Sequence, residues 1–143
     1  MKDLSSKVRA FAFRLTPKSD LKKSILTFAE KKKIKAGAIA TCVGSLERLH
    51  IRFANQKEGK AKKGFFEIVS LTGTFSNSSC HLHISVADHT GKTVGGHLLD
   101  NNLIYTTGEV VVLDLTDLSF DRKPDPSYGY NELTVGRRNN AKK

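Results

Sequence analysis

The first hydrophobic stretch of the chain alternates with polar residues and predicts a β-strand. In VRAFAFRL, Phe11, Phe13 and Leu15 fall on one side, and Val8 and Arg14 fall on the other. A period of two residues is that of a strand, because successive side chains point to opposite faces of a sheet. The polar segment TPKSD then ends this strand.

A single amphipathic helix is predicted next. Leu21, Ile25 and Phe28 recur at helical spacing in LKKSILTFAEKKK, and lysines occupy the opposite side. Ser19 is the expected N-cap, and Asp20 is favourably placed against the helix dipole. The lysines at the end of the segment suit the other end of the dipole.

The hydrophobic segments that follow the helix are all typical of strands. They are Lys35–Leu46, Leu46–Ala54, Phe65–Ser76, His81–Ala87 and Leu103–Leu115. A lysine-rich loop is expected between the second and third of them, and residues 119–143 are expected to be irregular or an edge strand with a basic tail. The fold class is therefore α+β, a mainly antiparallel sheet with one principal helix packed on it, in one domain spanning residues 1–143. One helix cannot cover both faces of so large a sheet, which favours self-association.

Length and composition narrow the class of protein. The 143 residues suffice for one ordinary core. No apolar run approaches the roughly 20 residues that cross a bilayer, and the N-terminus has no secretory signal pattern. Cys42 and Cys80 are the only cysteines, which favours reduced thiols over a disulfide framework. We therefore expect no membrane partner and a cytoplasmic location, with a nuclear one left open.

The net charge of +10 raises the question of nucleic-acid binding. Basic residues that would meet phosphates are Lys31, Lys32, Lys33, Lys35, Lys60, Lys62, Lys63, Arg137 and Arg138. Such patches attract polyanions by releasing condensed counterions, so a DNA-associated assembly protein is one candidate function. Lysine is also a common solubilising residue, and the chain has no zinc-finger spacing or aromatic-basic alternation of the RNA-recognition kind.

The segment CHLHISVADHTGKTVGGHL contains four of the five histidines, of which His81, His83 and His97 flank the turn that carries His89. If His81–Ala87 is a strand, Leu82 and Ile84 face the core, and His81 and His83 share the other face. Two histidines at i and i+2 on a strand can converge on one metal ion. The same parity turns Cys80 away from them.

The position of His97 depends on the length of the turn that precedes it. His89-Thr90-Gly91 fits a three-residue hairpin loop with glycine in the left-handed region, which places His83 opposite His97. A loop of two or four residues would turn His97 to the face of Ile84 instead. The turn residues favour three histidines on one face, although polar residues at a sheet surface or subunit contact are the simpler alternative.

Three neutral imidazoles without a protein anion form a metal set with one coordination position open. Zinc is the first candidate, and another divalent transition metal would also suit imidazole ligands. The open position would accept water or a small anionic ligand. Glu109, an acid in the otherwise apolar strand YTTGEVVVLDL, is a candidate second-shell acid or general base. Glu109 could equally form a salt bridge between subunits or lie on an exposed face. The sequence therefore leaves open whether any catalysis occurs.

Three motifs occur in the order of one known family. GFFEIVSLTGTF, HLHISVADHTGKTVGGHL and YTTGEVVV together resemble the plants-and-prokaryotes-conserved (PPC) domain, and the resemblance covers about residues 8–118. It implies an antiparallel sheet with one main helix, a homotrimer, and a metal site at His81, His83 and His97, with Glu109 matching a recurrent acid. Plant members of the family add DNA-binding AT-hooks. This chain resembles the stand-alone microbial members, because it lacks an AT-hook and keeps the histidines.

Overall fold

A computed structural model describes residues 3–138 of the chain. In chain order the elements are β1 (Val8–Leu15), α1 (Leu21–Lys32), β2 (Gly37–Arg52), β3 (Lys60–Phe75), β4 (Cys80–Ala87), β5 (Thr93–Leu98), β6 (Leu103–Leu115), β7 (Leu118–Pro124) and β8 (Asn131–Arg137). Six strands form an antiparallel sheet in the order β1-β6-β2-β3-β4-β5. The predicted α+β class, a mostly antiparallel sheet with one helix, is confirmed for these residues.

The sheet curls so that β5 also pairs with the end of β2. Ile51 lies opposite Leu98, and Arg52 lies opposite His97. The long strand β2 therefore touches β3 on one edge, and β6 followed by β5 on the other. This closure brings residues that are far apart in the sequence to the same end of the sheet.

The N-cap of helix α1 lies one residue after the expected one. Asp20, not Ser19, is the N-cap, and its Oδ1 accepts a hydrogen bond from the Lys23 amide at 3.1 Å. Its Oδ2 accepts a second one from the Asn101 amide at 2.6 Å. Asp20 thus joins the helix to the β5–β6 connection through two separate side-chain oxygens. A serine has only one such oxygen. Leu21 and Ile25 are buried as predicted. No helix among the described residues is long and apolar enough to cross a membrane.

Two strand boundaries differ from those expected. The segments around Leu46, predicted as two strands, form the single strand β2, whose register shifts near Leu46 replace the expected break. Strand β3 begins at Lys60, so part of the predicted lysine-rich loop belongs to a β-hairpin. Pairing with β2 supplies backbone hydrogen bonds to this segment despite its polar side chains.

One face of the sheet is left uncovered. The core lies between α1 and the inner face of the curled sheet, with Phe75, Ile104 and Val112 fully buried. On the outer face the side chains of Val43, Phe65, Val69 and Tyr105 are 42–61% exposed. The prediction that one helix leaves part of the sheet uncovered is confirmed.

Strands β7 and β8 form a separate two-stranded sheet. They occupy the region from residue 119 onward that was expected to be irregular or an edge strand. The hairpin is attached to the body of the protein by the Phe120 amide, which donates to the Lys35 carbonyl at 2.9 Å, and by Arg122, which donates to Thr74. The last five residues of the predicted basic tail lie outside the described residues.

Candidate metal centre

The turn between β4 and β5 has the predicted three-residue loop. The Gly91 amide donates to the Asp88 carbonyl at 2.8 Å, and Gly91 has a φ of 82°. The Asp88 amide donates to the Lys92 carbonyl at 3.0 Å, which closes the hairpin. His83 and His97 are consequently Cα partners in the ladder, as the turn predicted.

The three histidines converge on one point. His81, His83 and His97 each offer a ring nitrogen, and these three atoms lie within 4.8 Å of one another. The Nε2 atoms of His81 and His83 are 3.1 Å apart, and the three ring centroids are separated by 4.9, 5.2 and 5.6 Å. His81 and His83 are exposed and His97 is half-buried, so the cluster is open on one side.

The electrostatics of the cluster keep imidazole lone pairs available to a cation. Burial, together with the neighbouring His81 and Arg52, lowers the pKa of His97 to about 4. Burial, followed by His83 and Arg122, also lowers the pKa of His81. Metal ions bind the neutral form of imidazole, so these shifts reduce competition from protons.

A buried nitrogen in the cluster has no protein partner. His97 Nδ1 is buried without a hydrogen bond among the described residues. An unpaired buried polar atom is costly unless something outside the protein satisfies it. Three converging imidazoles with one orphaned nitrogen form a donor set that fits a divalent transition metal.

A cleft of about 580 Å³ opens above the histidines. Its walls include Arg52 and Phe53 from the end of β2, and Arg122, Tyr130 and Glu132 from the β7–β8 hairpin. The volume is within the usual range for small-molecule sites. None of these five residues was predicted from the sequence to belong to the site. Only the closing contacts between β2 and β5 and the docking of the hairpin bring them to the cluster.

Two arginines flank the histidines at opposite ends. Thr72, His83, His97 and Arg52 are successive partners across β3, β4, β5 and β2, so they form one row. In the next row Thr74 pairs with His81, and Thr74 Oγ1 accepts a hydrogen bond from Arg122 Nη2 at 3.2 Å. Within residues 3–138 neither Arg52 nor Arg122 makes an ion pair.

Glu109 does not meet the histidines within one copy of the chain. It is exposed on β6, opposite Val43 of β2 and Arg14 of β1. Strands β2 and β3 lie between β6 and β4, and three strand spacings amount to roughly 14 Å. Glu109 does not line the cleft, whereas Glu132 does.

The basic residues named from the sequence are spread over several elements. Lys31 and Lys32 end α1, Lys33 is its C-cap, and Lys60 begins β3. Lys35 precedes β2, Lys62 and Lys63 continue along β3, and Arg137 and Arg138 end the β7–β8 hairpin. All are exposed except Arg138, which is half-buried, and none of them lines the histidine cleft.

Over residues 3–138, the antiparallel sheet, its single helix and the open three-histidine cluster define an α+β domain with a candidate metal centre. The Plants and Prokaryotes Conserved (PCC) domain, which is the PPC family, matches residues 3–116, and the chain belongs to it. The family predicted from the three motifs is thus confirmed.

Several known proteins are similar to this chain. The bifunctional protein GlmU of Synechococcus sp. (strain JA-3-3Ab) is 41% identical over 128 residues, which are 90% of this chain and 21% of that protein. The chain thus spans about a fifth of the length of the curated relatives it matches.

Solved structures share the fold over nearly the whole chain. A hypothetical protein from Salmonella enterica has a TM-score of 0.93 and 35% identity, covering 94% of this chain and 98% of that one. A metal-containing protein from Archaeoglobus fulgidus has a TM-score of 0.79 and 29% identity, covering 94% and 99%. A proposed DNA-binding protein from Bacteroides thetaiotaomicron has a TM-score of 0.78 and 27% identity, covering 93% and 94%.

Proposed function

We propose that this chain is a homotrimeric metal-binding domain in which His81, His83 and His97 hold one divalent transition metal, with zinc as the first candidate. The observation that carries the proposal is the convergence of three ring nitrogens within 4.8 Å. The orphaned Nδ1 of His97 and the lowered pKa values of His81 and His97 agree with it. A structural relative at 29% identity is described as metal-containing.

The metal would leave a position open towards the cleft, where a small anionic ligand would bind. A bound divalent ion supplies Lewis acidity that polarises a ligand oxygen or lowers the pKa of a water. His81, His83 and His97 would hold the ion in the cleft that they line. The proposed activity is binding of the metal and of a small anionic ligand. A reaction on that ligand would be an additional activity.

Assembly into a trimer would cover the exposed outer face of the sheet. Val43, Phe65, Val69 and Tyr105 are large apolar side chains exposed together on this face in a single copy. Contiguous exposed apolar surface is characteristic of protein interfaces. Glu109 lies on the same face beside Val43, so its proposed role as a second-shell acid or general base requires a histidine cluster from a neighbouring copy.

Metal analysis of purified protein tests the proposal. Wild type loaded with Zn²⁺ and desalted should retain one ion per chain by mass spectrometry of the metal content. The double variant His81→Ala/His83→Ala should retain almost none. His89→Ala, a histidine in the exposed turn, is the matched control and should retain the wild-type amount. Equal, negligible zinc in all three proteins would refute the proposed function.

A second candidate function is association with DNA. It is favoured by the exposed lysines at the end of α1 and the start of β3, and by the relative described as a proposed DNA-binding protein. Trimerisation would multiply weak phosphate contacts. This candidate predicts duplex binding that falls steeply with salt, with a slope of about −0.9 per neutralised phosphate. Absence of binding to duplex DNA at about 50 mM salt, where such contacts are strongest, would remove it.

A further inference from the structure

We infer that the histidine cleft selects a small organic carboxylate, whose anionic end is held by Arg52 and Arg122 beside the metal and whose apolar part lies along Phe53 and Tyr130. The inference rests on the proposed metal site and adds the chemical class of its ligand and the residues that recognise it. Four features of the cleft support it.

The first feature is the position of the two guanidinium groups. Arg52 is the direct ladder partner of His97, so both side chains leave the sheet on the same face. Arg122 is held over the partner of His81 by its hydrogen bond to Thr74. The three histidines therefore lie between two arginines rather than beside one.

The second feature is the unbalanced positive charge. Neither arginine forms an ion pair within residues 3–138, and Glu132 is the one carboxylate among the residues lining the cleft. A divalent ion among these histidines would add further positive charge in a partly desolvated space. An anion that contacts the metal and a guanidinium together would offset this repulsion.

The third feature is the shape of the donor groups. A guanidinium presents parallel N–H donors that match the two oxygens of a carboxylate, and such charged pairs are stronger than neutral hydrogen bonds. Arg52 Nη1 donates to the Gln56 carbonyl at 3.1 Å, and Arg122 Nη2 donates to Thr74. Each bond uses one nitrogen and fixes the guanidinium, leaving other donors for a ligand.

The fourth feature is the apolar part of the walls. Phe53, Ala54, Cys80 and Tyr130 line the same cleft as the arginines, so Cys80 borders the histidine site although strand parity predicted that it would turn away. Inorganic anions would gain nothing from these side chains, whereas a carboxylate with a hydrocarbon or aromatic body would bury apolar surface against them. The volume of about 580 Å³ accommodates a molecule of this size.

Calorimetric titration of the zinc-loaded 143-residue chain tests the inference with three probes. Phenylacetate should bind with one site per chain. Sulfate, an anion without an apolar body, and 2-phenylethanol, the neutral analogue, should each bind at least tenfold more weakly. Arg52→Gln and Arg122→Gln should each weaken phenylacetate binding roughly tenfold, the effect expected for one charge-assisted hydrogen bond.

Lys123→Gln is the matched control, because it removes one positive charge from the next residue of β7, which does not line the cleft. It should bind phenylacetate like wild type. Zinc content and melting temperature are measured for every variant. If Arg122→Gln does not fold, Arg122→Lys is used instead. It keeps the charge but lacks the parallel N–H donors of a guanidinium, so it should still bind phenylacetate more weakly than wild type.

The outcomes separate the two proposals. Stoichiometric zinc without phenylacetate binding, or binding unchanged by both arginine variants, would overturn the inference while the metal site stands. Sulfate binding as strongly as phenylacetate would overturn the organic class of ligand. If wild type holds no zinc, the proposed function fails. The titration is then run on the metal-free protein, where arginine-dependent binding of phenylacetate supports the inference and its absence overturns it.

Discussion

His83 and His97 are directly opposite each other on β4 and β5, and this pairing makes a three-histidine cluster. It depends on the length of the loop His89-Thr90-Gly91, because the side chains of a strand alternate between faces. A shift of one residue would move His97 from the cleft to the face of Ile84.

Deletion of Thr93, the first residue of β5, should therefore abolish the metal site. The loop before β5 is kept, so every later residue of β5 moves by one position against β4 and His97 turns away from His83. Zinc retention per chain should fall to near zero. Thr93→Ala keeps the length of β5 and removes only the 3.3 Å hydrogen bond from Thr93 Oγ1 to the Gly91 carbonyl, so it should retain zinc. Full zinc retention in the deletion variant would show that the pairing of β4 with β5 does not determine the cluster.

The metal-free protein should lose stability as the pH falls from 6.5 to 4. Burial lowers the pKa of His97 from 6.5 to about 4 in the folded state. Between these values the unfolded chain takes up a proton that the folded chain does not, so the free energy of unfolding decreases with falling pH. We expect a loss of about 2 kcal/mol at most from this residue, since it is partly solvated. The stabilisation that comes from neutral His97 is complete above pH 6.5 and is lost below pH 4.

Urea denaturation in the presence of a chelator measures this effect. His97→Asn should flatten the dependence on pH over this range, whereas His89→Asn, in the exposed turn, should keep it. A wild-type dependence that persists unchanged in His97→Asn would assign the effect to other groups.

Gly73→Ala should destabilise the protein and disturb the histidines above it. Gly73 lies on β3 opposite Leu82, has a φ of 138°, and a Cβ at this position would meet the His81 carbonyl oxygen at 2.0 Å. Because that contact is with backbone, β3 and β4 would have to separate. We expect a loss of ~3 kcal/mol in the free energy of unfolding and weaker zinc binding.

Gly91→Ala is the control for this glycine. Gly91 also has a positive φ, but a Cβ there would have no atom within 4 Å. It should cost about 1 kcal/mol, the strain of the left-handed backbone alone. Equal losses in the two variants, measured by urea denaturation, would contradict the close approach of β3 and β4.

Val43→Lys should disrupt the proposed trimer without unfolding the subunit. Val43 is 54% exposed on the outer face of the sheet and lies opposite Glu109, so a lysine there costs little in one copy and much in an apolar interface. Light scattering coupled to size exclusion should show a change from trimer to monomer. Tyr128→Lys, at an 85% exposed position at the tip of the β7–β8 hairpin, should remain trimeric. A monomeric wild type would refute the assembly.

The features predicted from the sequence are those determined locally. The alternation HLHISV and the turn HTG together place the three histidines on one face, and the spacing of Leu21 and Ile25 identifies α1. Each depends on a few neighbouring residues and on the geometry of strands, turns and helices. The same local rules missed the continuity of β2 through Leu46, because pairing with β3 and β6 overrides the break suggested by Gly44 and Ser45.

The rest of the cleft depends on contacts between distant parts of the chain. Arg122 and Thr74 are 48 residues apart, and Arg52 meets His97 only because β5 closes onto β2. No spacing in the sequence indicates either contact. Glu109 illustrates the converse, since an acid in an apolar strand looked suited to the site, yet two strands separate it from β4 within one copy.

X-ray absorption at the zinc edge tests the metal site most directly, because it reports the ligands of the bound ion. With one zinc per chain, we predict three imidazole nitrogens at about 2.0–2.1 Å and a fourth ligand that is oxygen and not sulfur. Cys80→Ser should leave this spectrum unchanged, because Cys80 is not part of the three-histidine cluster. A sulfur ligand at about 2.3 Å, or a spectrum without imidazole scattering, would contradict the proposed metal centre.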